Sequence, residues 1–440
     1  MLQDSAKRLT SSETIEFAPI ITVTNNDFRF IVAQQLQEVG IEPGPILIEP
    51  NIKNTAAAIL AASVYAHSKD ECAILLVAPS DHVMSNVNDF HEAIAVGMQH
   101  VIKGKFVSFG IRPTHPEIGY GYLELEGDTL DSSGTSVVRN FVEKPDLKLA
   151  NQMVAASNFL WNAGIYLFRA RDMIEAFKTF APGSLDLVTN SINDARVDLG
   201  FFRLASKPWS LLENISIDYA IMEKVENLVA VPYCSKWTDL GSWDAVWTEG
   251  EQDSDGNVTS ETAHAIECSN SLLRSENKNQ HIVGIGLDNI IAVSMRDAVL
   301  VARKDYTQDV RRAVDLLAYN KVEQAETFPI DYRPWGWFES LVVGDYFQVK
   351  RINVKPKAAL SLQSHKHRSE HWVVVEGNAR VVIDNDVSFL TKGQSIYVPQ
   401  GAVHRMENVG ESAMELIEVQ IGTYLGEDDI IRYDDRFGRV

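Results

Sequence analysis

Between Pro19 and Trp243 short apolar runs alternate with longer segments of helical period. That alternation restricts the first half of the chain to an α/β domain with a mainly parallel sheet, because strands separated by helices pair through crossovers. The runs include PIITVT (19–24), PILIEP (45–50), CAILLVAPS (72–80), KFVSFGI (105–111) and VVRNFVEKP (137–145), with helices expected over Ala56 to His67 and Phe90 to Ile102. Ligands of such sheets bind at the carboxyl ends of strands, where Pro79-Ser80-Asp81-His82 and Glu143-Lys144-Pro145 stand.

The alternation ends at Asp253-Ser254-Asp255-Gly256-Asn257, a polar irregular stretch. From Val258 to Arg303 short β-like pieces such as HIVGIGL and AVLVA recur without helices, which reads as a β connector or short solenoid. A helical pattern over Tyr306 to Glu326 is stopped by Phe328-Pro329-Ile330. Tyr332 to Tyr424 is strands and turns, the pattern of a small β-barrel. The expected fold class is α/β plus all-β, with domains at 1–255, 256–325 and 326–440; a length of 440 residues accommodates them.

Forty Lys and Arg against sixty Asp and Glu give a formal charge of -20, the wrong sign for a nucleic-acid or anionic-membrane partner. An anionic small substrate then needs local cations. Cys72, Cys234 and Cys268 are widely spaced and read as reduced thiols. No apolar run approaches the ~18–20 residues of a membrane helix, and the opening MLQDSAKRLTSS is too polar for a signal-peptide core, so the cytoplasm is the expected compartment.

The densest chemistry lies in QSHKHRSEHW (363–372) and GQSIYVPQGAVHRMEN (393–408). Gln363, His365 and His367 share strand parity and so point to one face, as a metal cradle would need. The second segment, with Gly393, Pro399, Gly401, His404 and Asn408, resembles the second cupin motif over its whole length. Gln363, His365, Glu370 and Gly377 resemble the first, with Gln in place of the usual first His and Lys357 where an opening Gly is expected. Gln363, His365, Glu370 and His404 would form an N/O-rich site for zinc or another divalent metal. Taking His365 and His367 as the first pair leaves Glu370 one or two residues early. His367 reads either as a lining residue or as a partly exposed polar one.

The first half carries an ordered series: EPNIKNTAAAI (49–59), APSDH (78–82), IGYGY (118–122), FVEKP (141–145), NFLWNAGIYLF (158–168), ISIDYAIMEK (215–224) and WTDLGSW (237–243). With RPWGWF (333–338), the cupin segments and the closing EDDIIRYDDRFGR (427–439), nearly the whole chain resembles the bifunctional mannose-1-phosphate guanylyltransferase/mannose-6-phosphate isomerases.

That resemblance implies a Rossmann-like nucleotidyltransferase domain, a β connector and a C-terminal cupin barrel. It implies that Asp81 and Asp239 hold Mg²⁺, that Glu143 binds sugar hydroxyls and Lys144 a phosphate, and that Asn162 and the bend at Gly119 and Gly121 complete the sugar pocket. Lys53 stands where the family usually has Arg, keeping the charge and losing the bidentate fork; Ile118 replaces a frequent Thr. In the isomerase, Arg368 would meet the substrate phosphate, His371 would carry a proton and Glu370 would act at the metal, the alternatives being a rim salt bridge for Arg368 and a packed imidazole for His371. The implied ligands are mannose 1-phosphate, GTP or GDP-mannose, and mannose 6-phosphate or fructose 6-phosphate.

The family's opening strand and GGxGTRL-like nucleotide loop have no counterpart here, the chain beginning at Met1-Leu2-Gln3, where the family has the helix after that loop. Either the sequence starts late, at an internal Met, or the element has been lost. As written, the isomerase site is the complete one, and an exposed sheet edge favours self-association. Isomerase activity alone and non-catalytic sugar-phosphate binding are the competing expectations.

Overall fold

The computed structural model describes residues 1–12, 15–127, 134–325 and 327–434, so the last residues of the closing segment (435–439) lie outside the described part. The chain forms two compact units, Met1–Leu240 and Gly241–Val440.

The first unit is built on a six-stranded sheet in the order Ile74–Val77, Phe159–Arg169, Phe106–Ile111, Leu228–Pro232, Ser136–Val142, Tyr122–Leu125. A mainly parallel sheet is the expectation from the sequence, and the registers correct it. Only Phe106–Ile111 and Leu228–Pro232 are parallel neighbours, because the eleven-residue strand Phe159–Arg169 enters antiparallel between Ile74–Val77 and Phe106–Ile111. A second sheet keeps the expected direction, with Ile46–Glu49 parallel to both Thr22–Asn25 and Phe201–Arg203.

Helix Val87–Val101 starts where the Asn86 side chain accepts from the amides of Asn88 and Asp89, and it buries Phe90, Ala93, Ile94 and Val101. Its Gly97 permits close approach: a Cβ there would stand 3.2 Å from Val107 and 3.3 Å from Leu167. Helix Asn54–Lys69 buries the run Ala56, Ala57, Ile59, Leu60 and Ala61 in the core on the other side.

The second unit begins with helix Trp243–Glu249, whose Trp243, Val246 and Trp247 pack on Leu272, Ile291 and Val293. Strands Val258–Thr259, Leu272–Ser275 and Ile290–Ser294 stack in parallel, as do Ala263–Ile266 and Ile282–Ile285, giving the coils of a short solenoid. A 3-10 turn, Lys304–Asp309, and helix Val310–Tyr319 follow. Two antiparallel sheets then face each other as a barrel. One runs Ile330–Arg333, Gly336–Val343, Phe347–Val354, Met414–Gly422, Arg368–Glu376, Ser395–Val398; the other runs Asp386–Thr391, Asn378–Ile383, His404–Asn408, Leu362–His365, Ile430–Asp434. Trp335, Val354, Trp372, Val381, Met406 and Leu416 fill the space between them.

Candidate functional site

In the first unit a cavity of about 890 Å³ runs from an apolar end, lined by Ile21, Val23, Ala58 and Leu76, to a polar end at Tyr120, Gly121, Glu143, Lys144, Asn162, Asp218 and Asp239. A Cβ at Gly121 would crowd this wall, falling 2.6 Å from Glu143 Oε2 and 3.2 Å from the Phe141 ring, so a side chain there would displace the Glu143 carboxylate. The Asn162 side chain is saturated: Oδ1 accepts from Ser108 Oγ at 2.8 Å and Gly164 N at 3.1 Å, and Nδ2 donates to Tyr166 Oη at 2.7 Å and Asp218 Oδ1 at 3.2 Å. It therefore holds the pocket wall and has no hydrogen-bonding capacity left for a sugar hydroxyl.

Glu143 has that capacity. Burial, with the nearby Asp218 charge, pushes its carboxyl up to about 7, against the opposing pull of Lys144, whose Nζ is 3.5 Å away. The Lys144 side chain is itself exposed at the rim.

Strands Val83–Met84 and Trp237–Thr238 pair antiparallel with Thr238 opposite Val83, which brings Asp81 and Asp239 to one end of the ladder. Burial lowers the His82 imidazole between them, and both carboxylates oppose that shift. Asp239 also accepts from Tyr120 Oη at 3.0 Å. Lys53 is a correction: its ammonium donates to the carbonyls of Ser210 at 2.9 Å and Leu212 at 2.5 Å, so it ties a loop and is not among the cavity's lining residues. The sequence reading missed Tyr120, Tyr166 and Asp218, all inside segments it had singled out. Their signal was a polar group within a largely apolar segment, at a buried position for Tyr166 and a half-buried one for Tyr120 and Asp218.

In the second unit Glu370 lies between two imidazoles, with His365 Nε2 3.0 Å from Oε1 and His404 Nε2 3.5 Å from Oε2, all three residues at most 2% exposed. Their ligand-type atoms lie within 4.8 Å of one another. Nε2 of both rings faces the Glu370 carboxylate and His365 Nδ1 is buried without a hydrogen-bond partner, so the three side chains present a buried N/O donor set that fits a divalent cation. His404 Nδ1 is 3.0 Å from the Ala402 carbonyl, which fixes its ring. Burial alone would raise the Glu370 carboxyl; the hydrogen bond and charges from His365, His404 and Arg368 outweigh it and hold the group below the ordinary carboxylate range. Gln363 is buried, pairs with His404 across the strands and accepts from Ser361 Oγ at 2.7 Å.

Arg368 is 2% exposed, its Nε 3.2 Å from Glu370 Oε1 and its Nη1 3.0 Å from the Gly426 carbonyl. It is a buried partner that supports the Glu370 carboxylate, not a rim salt bridge. His371 is a correction with a geometric reason: Arg368, Glu370 and Trp372 face inward, so His371 faces outward, exposed, its ring 4.7 Å from that of Tyr397. His367 is half exposed and bonds Asp429 at 2.7 Å, outside the ligand group.

Beside this group a cleft is lined by Arg333, Lys350, Gln363, Arg368, Glu370, Glu418, Gln420, Glu427 and Arg432. Burial, then the Glu370 charge, raises the Glu418 carboxyl. Glu418 and Gln420 were missed, although their parity with Met414 and Leu416 on one strand places them inward.

A nucleotidyl transferase family profile matches residues 1–256, a "MannoseP isomerase/GMP-like beta-helix domain" profile 263–317, and a "Mannose-6-phosphate isomerase C-terminal" profile 320–435. The chain is 42% identical over its full length to 92% of the xanthan biosynthesis protein XanB of Xanthomonas campestris pv. campestris (strain B100). It is 38% identical, again over its full length, to 92% of a mannose-1-phosphate guanylyltransferase of Escherichia coli (strain K12). A crystal structure described as mannose-1-phosphate geranyltransferase from Thermus thermophilus superposes with a TM-score of 0.61 at 26% identity, covering 72% of this chain and 89% of that one.

Proposed function

Because the chain belongs to the family of bifunctional mannose-1-phosphate guanylyltransferases/mannose-6-phosphate isomerases, we propose that its two candidate sites serve two steps of GDP-mannose supply. The barrel interconverts fructose 6-phosphate and mannose 6-phosphate. The N-terminal pocket takes mannose 1-phosphate for reaction with GTP, giving GDP-mannose and pyrophosphate.

The observation that carries the reading is the buried His365, Glu370, His404 group opening on a cleft lined by Arg333, Lys350, Arg368 and Arg432 together with Glu418 and Glu427. A zinc or similar divalent ion held by these residues and Gln363 would supply Lewis acidity toward substrate oxygens. Arg368 holds Glu370 in place, and with His371 outside, proton transfer between the substrate's first two carbons falls to the inward Glu418. In the other pocket Glu143 accepts from sugar hydroxyls, Lys144 meets phosphate at the rim, and Asp81 with Asp239 holds Mg²⁺. The chain works in the cytoplasm, in keeping with its free cysteines, and associates with itself. No helix among the described residues is long and apolar enough to cross a membrane. The names of the XanB and AlgA relatives place those proteins in xanthan and alginate synthesis, and the product here feeds a polysaccharide of that kind.

One observation favours isomerase activity alone. The described residues lining the N-terminal cavity offer Lys69 and Lys144 against Asp70, Glu143, Asp218 and Asp239, little positive charge for a triphosphate. Purified chain, assayed for mannose 6-phosphate isomerisation with and without chelator and for pyrophosphate release from GTP and mannose 1-phosphate, separates the readings. Chelator-sensitive isomerisation supports the barrel assignment and its absence with added metal refutes it; pyrophosphate release decides the transferase step.

A further inference from the structure

The cleft beside the metal-type ligands contains a carboxylate that no step above uses. Glu427 sits in the 3-10 turn Glu427–Asp429, ion-paired with Lys350, which is only 5% exposed, while Glu427 itself is 42% exposed at the mouth. Burial works against its charge, yet Lys350, Arg368 and Arg333 together hold the carboxyl below its usual range. Lys350 makes the ion pair with Glu427, while Arg333, itself paired with Asp331, and Arg368 line the same cleft from two other strands; a phosphate makes stronger, multidentate contacts with such a set than a carboxylate does.

The backbone around Glu427 is pinned. Arg368 Nη1 donates to the carbonyl of Gly426 at 3.0 Å, and Asp429 accepts from the amides of Lys366 at 3.3 Å and His367 at 3.1 Å. The Glu427 side chain is itself part-exposed, so water already reaches it. Further in, Gln420 is 1% exposed and its Oε1 is buried without a partner, an acceptor waiting for a hydroxyl.

From this geometry we propose that Arg333, Lys350 and Arg368 form the subsite for the phosphate of the sugar phosphate. Glu427 is its internal stand-in, held there until substrate phosphate displaces it. The sugar then lies with hydroxyls toward Gln420 and its reacting carbons toward His365, Glu370 and His404. This rests on the isomerase reading of the cleft, and it makes Glu427 a competitor of substrate, where a structural buttress for Lys350 would help substrate bind.

The test is Glu427→Gln in the full chain, with two readouts. Calorimetric binding of inorganic phosphate requires no turnover, and the KM for mannose 6-phosphate reads the same site during reaction. The expected result is phosphate affinity higher and KM lower by about two- to fivefold, the span of a half-exposed ion pair. Arg333→Gln, at the mouth, is expected to weaken phosphate binding by about tenfold, in line with loss of a charge-assisted contact. Unchanged or weaker phosphate binding by Glu427→Gln overturns the inference even where isomerase activity is intact. Tighter phosphate binding in a chain without isomerase activity upholds the subsite and overturns the isomerase reading instead.

Discussion

Replacing Glu370 by Gln keeps the shape of the side chain and removes its charge. In the folded chain that charge faces the Arg368 guanidinium at 3.2 Å, and both groups are at most 2% exposed. Trp372 Nε1 also donates to Glu370, at 3.1 Å. Breaking one side of a buried pair typically costs about 3–5 kcal/mol, because the surviving charge stays out of water. The Leu425 and Gly426 carbonyls still accept from Arg368, which puts the expected loss near the lower end, about 3 kcal/mol. For a unit the size of Gly241–Val440 that is a fall in melting temperature of roughly 6–12 °C. Calorimetry on chelator-treated protein isolates this term from metal binding, and metal analysis of untreated protein should show the barrel's ion lost in the variant. A fall under about 2 °C, or full metal retention, would refute the account of Glu370 as both ligand and counter-charge.

His371→Phe should leave isomerisation within about twofold of the parent, as expected for a surface position, and a loss of a hundredfold would restore His371 to the site. Gly121→Ala places a methyl 2.6 Å from Glu143 Oε2 and should weaken mannose 1-phosphate binding by about tenfold or more, read by calorimetry. Glu143 titrates at about 7 when folded against an ordinary 4.5, so the folded state holds the extra proton. Its contribution to stability is therefore full below about pH 4.5 and is lost as pH rises through about 7. Glu143→Gln should raise the urea midpoint of the first unit at pH 8 and do little at pH 4, and an equal effect at both would contradict the buried-carboxyl reading.

Much of the barrel site was legible because strand parity is a local property. Gln363 and His365 share a face, and the same rule applied to the next strand sets Arg368, Glu370 and Trp372 inward and His371 outward. His371 was misjudged by weighing its chemistry above its position. Glu418 and Gln420 were equally within reach, as polar residues at the inward positions of an otherwise apolar strand. Lys53 was a different failure: nothing local shows that its ammonium would be taken by carbonyls of Ser210 and Leu212, some 160 positions onward.

The sequence by itself determined most strand and helix segments, the α/β-then-β order and the spacing that brings His365, Glu370 and His404 into one candidate site, since these follow from side-chain period and spacing over a few residues. Only the tertiary structure decided strand direction, as when Phe159–Arg169 enters antiparallel between two strands far earlier in the chain. It also decided which neighbours saturate Asn162, and that Glu427 meets Lys350, 77 residues away. Those outcomes depend on which distant surfaces bury each other best, a free energy that no local window of residues contains.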